Sequence, residues 1–531
     1  MNTRRVAAGA AAGIAGGAAL VAAVSVLARI VGFGRQLVFQ GVVSETVLGS
    51  IYQTANSLPN VAFEIVAGGA LASVVVPLLA AAATRGDTDH VRQVTSALLG
   101  WTLVLLVPVA VLGVLLAGPV MEFMLRGTGG DLGVEVGRRM LLIFLPQIPL
   151  YGIAVVTAGV MQAHRRFFAA ALAPVLSSVV VASAYLLFNR SFDGDRDNLA
   201  TVSRASEWIL AGGTTLGVLA LALATLVPML VRVTGLRPTL RFPSGVARHA
   251  RRLAAAGLAT LVAQQVAYLV AMAMANQHAP DGGWVTYVNS WMVYLLPYAV
   301  LAVPIATAAF PRLSQHADED SGAYSHTLAA TTRAVLIVSA AGTAMLVAAA
   351  SPIARFFELI SQADVPADRM TRALLAFAPG LIGYGLVALL GRALYARRRG
   401  RSAATAIVAG WSLAAGLALV LARVLAAEDV IAGLGLAHTV GMLAAGALLV
   451  RAVRADSGAV ALAGVPRAAG TALAGAAVGG AAGWFTAQVL PTGGFVPTVA
   501  TGALAAVVAM VCLAGALWAG DRGDLRRLAR R

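Results

Sequence analysis

The chain has 531 residues, of which 59% are hydrophobic and 12% charged, and its mean hydropathy is +0.83. That balance excludes a soluble globular domain, and the recurring apolar runs of about 18 or more residues read as membrane spans. A net charge of +16 would suggest nucleic acid in a soluble protein, but here the charge sorts by loop, so no nucleic-acid partner is expected; the single cysteine, Cys512, leaves no internal disulfide.

The pattern predicts an all-α polytopic membrane protein with fourteen spans. They lie near 14–42, 46–84, 94–120, 140–163, 167–189, 208–231, 254–277, 284–311, 329–352, 372–396, 403–425, 430–450, 468–490 and 496–519. The first follows Met1–Arg5 and mimics a secretory signal. Its apolar run is too long and lacks a polar cleavage region, so it reads as an uncleaved helix.

Within that span, Arg29 and Arg35 are set among apolar residues between Ser25 and Gln36. Each arginine costs roughly 2.5–3.5 kcal/mol on insertion scales and needs a partner, water or a ligand. Their spacing leaves them ~120° apart, so Ser25, Arg29, Gly32 and Gln36 share a stripe while Arg35 looks elsewhere. Arginine in a cavity suits phosphate or carboxylate, through paired charge-assisted hydrogen bonds.

The second span carries Asn56, Asn60 and Glu64 on one polar face broken by Pro59. Glu64 is the only acid inside a span, and pairing with Arg29 or Arg35 is the structural alternative to ligand binding. Gln147 and Gln162 in the fourth span, Gln264 and Gln265 in the seventh, and Asn289 and Ser290 in the eighth add polar groups. These read either as a cleft lining or as hydrogen bonds between helices. Pro59, Pro146, Pro297, Pro304 and Pro379 favour kinks. Arg392, near one end of the tenth span, can snorkel.

Loops are short except 121–139, 190–207, 232–253, 312–328, 353–371 and 451–467. The ends and alternate loops hold 26 Arg and 8 acids, against 10 Arg and 14 acids on the other side. That bias predicts both termini in the cytoplasm. The loop 232–253 holds six Arg and no acid, a topological signal that also suits anionic headgroups.

An internal repeat sets the domain organisation. At an offset of 233 residues, Phe144-Leu145-Pro146 falls on Phe377-Ala378-Pro379, Tyr151-Gly152 on Tyr384-Gly385, and Arg165-Arg166 on Arg398-Arg399. Pro77 and Pro311 echo at 234, and Pro59 and Pro297 at 238. The copies are six spans apart and therefore parallel, as in transporters whose lobes rock about a site between them. The predicted divisions are an N-lobe at 1–231, an Arg-rich linker at 232–253, a C-lobe at 254–450, a loop at 451–467, and two extra peripheral helices with a basic tail at 468–531. The repeat-related spans 1, 2, 7 and 8 are expected at the midline. The sequence has no Walker loop, HExxH, CxxC or paired carboxylates in a span. No enzyme activity, cofactor or metal is expected.

The motifs resemble those of the MurJ/MviN family of lipid II flippases, within the superfamily that includes MATE exporters. Ser25, Arg29, Gly32 and Arg35 meet its first-helix pattern, Leu58-Pro59-Asn60 its second-helix opening, and Pro77 and Leu79 its later Pro-x-Leu. Ala163, His164, Arg166, Phe167, Ala173 and Pro174 meet a further motif, and Pro311-Arg312-Leu313-Ser314 another. Ser290-Trp291-Met292 and Gly68-Gly69 look like actinobacterial members.

The resemblance implies a V of two six-helix lobes plus two helices in the bacterial cytoplasmic membrane. It implies alternating-access movement of the undecaprenyl-diphosphate-linked peptidoglycan precursor from inner to outer leaflet. Membrane lipids and cell-wall synthesis and division proteins are the other implied partners. Arg35 would meet the diphosphate with Arg29 nearby, and Ser25, Gln36, Asn56, Asn60, Glu64, Gln265 and Asn289 would line the site. The chain departs from the family at Gln36, Phe63, Glu64 and Met292, where acidic or basic residues are common, so a three-arginine clamp does not carry over. A MATE-type drug/cation antiporter using Glu64 and a transport-inactive cell-wall scaffold are the alternatives.

Overall fold

A computed structural model describes residue 24 and residues 27–242, 258–319 and 321–520. All the regular elements among the described residues are helical. Long Ala-, Leu- and Val-rich runs dictate this, because helices satisfy their own N–H and C=O groups where no water can.

Among the described residues, eleven helices are long and apolar enough to cross a membrane, or twelve when the bent pair Ala367–Phe377 and Gly380–Ala396 counts as one span. The predicted fourteen is not reached among the described residues. The first predicted span lies partly outside them, and its residues 27–42 are helical. The second consists of Val47–Phe63 and Gly69–Arg85, joined by a π-helical turn at Glu64–Gly68.

Several helices run further than expected. Thr88–Met124 and Ser321–Ile360 exceed the predicted 94–120 and 329–352, and much of the predicted loops 121–139, 312–328 and 451–467 is helical. Charged residues there sit at helical spacing. Glu135, for example, pairs with Arg138 and Arg139, each at 3.1 Å. Polarity marked the end of the apolar face and not the end of the helix.

The repeat is written into local geometry. The predicted fourth and tenth spans are both broken, at Leu145-Pro146 and at Ala378-Pro379, the latter with a 44° bend. Proline has no N–H to continue the helical ladder. Both second pieces end alike, with Arg165 and Arg398 left-handed at φ 58° and 59°. The Arg165 N–H donates to the Gln162 carbonyl at 2.8 Å and the Arg398 N–H to that of Tyr395 at 3.0 Å; Arg166 and Arg399 donate to Met161 and Leu394 in the same way. The π turns Glu64–Gly68 and Tyr298–Ala302 keep the 234-residue offset of Pro77 and Pro311.

The chain divides into two compact units, Met1–Leu261 and Val262–Arg531. The core of the first includes Val75, Leu79, Val94, Leu98, Val156 and Val160. The core of the second includes Leu313, Tyr324, Leu328, Leu389, Leu394 and Leu449. In that second unit the last two helices, Val465–Val489 and Phe495–Gly520, pack on Ser321–Ile360 through Ala340, Ala344, Ala476 and Ala509.

Abundant glycine lets helices touch backbone to backbone. A Cβ on Gly410 would lie 2.7 Å from the Gly441 carbonyl oxygen, and one on Gly441 would lie 2.5 Å from that of Gly410. Gly410→Leu is therefore expected to destabilise the second unit by about 1–3 kcal/mol. A lowered thermal midpoint in detergent would show it, and an unchanged midpoint would mean that these helices separate freely.

Candidate functional site

Arg35 lies half-buried on the helix 27–42, and its Nε is buried with no hydrogen-bond partner among the described residues. Its charge acts on the phenols of Tyr52, Tyr151 and Tyr185. The Tyr52 hydroxyl lies 2.9 Å from that of Tyr185 and 2.6 Å from Thr214 Oγ1. Phe39 stacks on Tyr52 with ring centres 5.4 Å apart, and Phe144 meets Tyr52 edge-on at 5.5 Å.

A polar chain continues from the second helix. Asn60 Nδ2 donates to the Asn56 carbonyl at 3.0 Å, and the Asn60 side chain hydrogen-bonds Tyr151. The Tyr151 hydroxyl reaches Gln147 Oε1 at 3.4 Å, and Gln147 Nε2 donates to Thr215 Oγ1 at 3.0 Å. Asn56 Oδ1 is buried without a partner.

Glu64 is half-buried at the start of the π turn. The ion pair with Arg29 or Arg35 does not form, and neither arginine is in any ion pair among the described residues. Arg29 is exposed and Gln36 buried, so the first helix turns its two arginines into different surroundings. Ser25 lies outside the described residues. Arg392 donates to the Ala388 carbonyl at 2.5 Å, a local bond within its own helix.

The turn between the first two helices is pinned by a distant loop. Arg196 Nε donates to the Val42 carbonyl at 2.5 Å, and Asp197 Oδ1 accepts from the Val47 N–H at 2.8 Å. A cation thus meets one helix C-terminus and an anion the next helix N-terminus, the favourable sense for both dipoles. Burial pushes the Arg196 guanidinium below its ordinary value, against the opposing charge of Asp195.

In the second unit Gln265 is half-buried and Asn289 fully buried. Sequence reasoning missed the aromatic cluster there. His438, 4% exposed, hydrogen-bonds the Tyr294 hydroxyl at 3.1 Å and sits 4.8 Å from Trp291 and 5.5 Å from Trp411, centre to centre. Thr439 beside it donates to the Ala376 and Phe377 carbonyls freed by the Pro379 break.

The site of the first unit therefore offers a half-buried cation, an orphan Nε, and hydroxyl and amide groups that can donate or accept. That set can neutralise and hydrogen-bond an anion.

The sequence comparisons agree on one family. The sequence profile described as "Lipid II flippase MurJ" matches residues 42–501. The lipid II flippase MurJ of Burkholderia cenocepacia is 26% identical over 388 residues, covering 71% of this chain and 72% of that one. Among solved structures, a lipid II flippase MurJ in an inward closed conformation matches with a TM-score of 0.68 at 16% identity, covering 92% of this chain and 98% of that one. An inward-facing MATE-family multidrug resistance transporter follows at 0.67 and 14%, covering 81% and 95%. The two scores are so close that backbone shape does not separate exporter from flippase; the sequence profile does.

Proposed function

Because the chain belongs to the lipid II flippase MurJ family, we propose that it moves the undecaprenyl-diphosphate-linked peptidoglycan precursor from the inner to the outer leaflet of the bacterial cytoplasmic membrane by alternating access. Arg35 is the residue we assign to the diphosphate. The observation that carries the assignment is its buried Nε, which has no partner among the described residues, within electrostatic reach of three tyrosines. A buried cation left unpaired is costly, and a phosphate offsets that cost with paired N–H···O bonds. Asn56, Asn60 and Tyr151 then serve the neutral part of the headgroup, and no covalent chemistry is needed. We assign the lobes to 1–231 and 254–450, both termini to the cytoplasm, and cell-wall synthesis and division proteins as partners.

Glu64, in no ion pair among the described residues, supports a second reading, exchange of organic cations. Titration of the purified chain separates the two. Lipid II is expected to bind, with an affinity lowered about tenfold or more in Arg35→Gln. Binding of an organic cation that is lost in Glu64→Gln, with lipid II indifferent to Arg35, would favour the exporter.

A further inference from the structure

The arginine-rich segment that follows the Gly213–Arg232 helix is a structured strap. Leu236 and Phe242 pack on the core that holds Val91, Leu98 and Val233. Between these two anchors the strap is bound to the Thr88–Met124 helix. The Thr239 N–H donates to the Ser96 carbonyl at 3.1 Å, the Arg237 N–H to Ser96 Oγ at 3.3 Å, and Trp101 Nε1 to the Leu240 carbonyl at 3.0 Å. Gly100 permits the approach, since a Cβ there would lie 2.2 Å from the Thr239 carbonyl oxygen.

Strap and helix enclose an open pocket of about 680 Å³ lined by Arg92, Arg237 and Arg241 together with Gln93, Ser96 and Thr239. Asp89 pairs with Arg92 at 2.9 Å. Arg237 and Arg241 are in no ion pair among the described residues, so the pocket keeps an excess of positive charge.

We propose that this pocket binds the phosphate of an anionic membrane-lipid headgroup. Three guanidinium groups offer forked donors that match phosphate oxygens, and the neutral polar side chains supply further contacts. Anchoring at both ends holds Arg237 and Arg241 in place before a ligand arrives, which lowers the cost of binding. The pocket lies toward one end of a span, and Trp101 beneath the strap is 38% exposed, as befits a side chain at the lipid interface. That position favours a lipid over a phosphate dissolved in water.

The test uses the purified full chain in detergent, read by native mass spectrometry against phosphatidylglycerol, phosphatidylcholine and inorganic phosphate. Phosphatidylglycerol is expected to bind in preference to phosphatidylcholine. Arg237→Gln with Arg241→Gln is expected to weaken it about tenfold or more. Arg85→Gln with Arg166→Gln, which removes the same charge from exposed positions outside the pocket, is expected to leave it intact. Gly100→Leu keeps every arginine but displaces the strap, and is expected to lose the preference as well. Thermal midpoints of each variant confirm that folded proteins are compared. Equal loss in the control pair would reduce the effect to general charge and overturn the site. Displacement of the lipid by inorganic phosphate at equal concentration would overturn the lipid assignment in favour of a soluble ligand.

Discussion

Arg35→Ala is expected to cut lipid II transport by about 100-fold while leaving the protein as stable as before. The first half follows from removing the cation proposed to meet the diphosphate, a loss on the order of 3 kcal/mol. The second half separates this account from a structural one. Arg35 makes no ion pair among the described residues, and its Nε has no partner. Removing an unpaired charge from a span leaves no protein group stranded and relieves a cost of roughly 2.5–3.5 kcal/mol. The thermal midpoint of the ligand-free variant is therefore expected to stay level or rise. A structural arginine would give the opposite pattern, with stability lost and transport falling only as far as folded protein does. Arg35→Lys keeps the charge without the fork and should fall between wild type and alanine.

The second large effect concerns stability. Glu207 is 2% exposed and takes both guanidinium arms of Arg139, with Arg139 Nε donating at 2.8 Å. Arg139 also reaches Glu135 at 3.1 Å. The pair ties the Gly130–Phe144 helix to the Arg204–Glu207 turn in the first unit. Glu207→Ala removes the paired acceptor from Arg139 and leaves it only Glu135, and is expected to destabilise that unit by about 1.5–3 kcal/mol. Replacing both partners, Arg139→Met with Glu207→Leu, is expected to recover most of that loss, because two apolar side chains leave no buried charge unpaired. A double variant no better than Glu207→Ala would show that the turn depends on the carboxylate for another reason.

The helical membrane-spanning character and the repeat were legible in the sequence, because lipid imposes length and composition on each helix. The prolines at 146 and 379 announced the two breaks, and the shared offset carried over to the left-handed Arg165 and Arg398. Helix ends were not legible. Glu135, Arg138 and Arg139 look like loop residues until their i,i+3 and i,i+4 pairing is seen.

Of the candidate site, Arg35 stood out because a charge in an apolar helix requires explanation. Tyr52, Tyr151 and Tyr185 did not, since a tyrosine in a span looks like ordinary packing, and Tyr52 and Tyr185 come together from separate helices. The His438 cluster was hidden for the same reason: Trp291, Trp411 and His438 are far apart in the chain. The sequence leaves Glu64 between an ion pair and ligand binding, and no pair with Arg29 or Arg35 forms among the described residues.

The most direct test of the account is complementation. The chain, or its Arg35→Ala variant, would be expressed in cells depleted of their own lipid II flippase, and lipid II exposed on the outer leaflet would be measured. The account predicts restored exposure with the wild type and almost none with Arg35→Ala at equal membrane levels. Equal restoration by both would contradict the role of Arg35, and no restoration by wild-type protein present in the membrane would contradict lipid II transport itself.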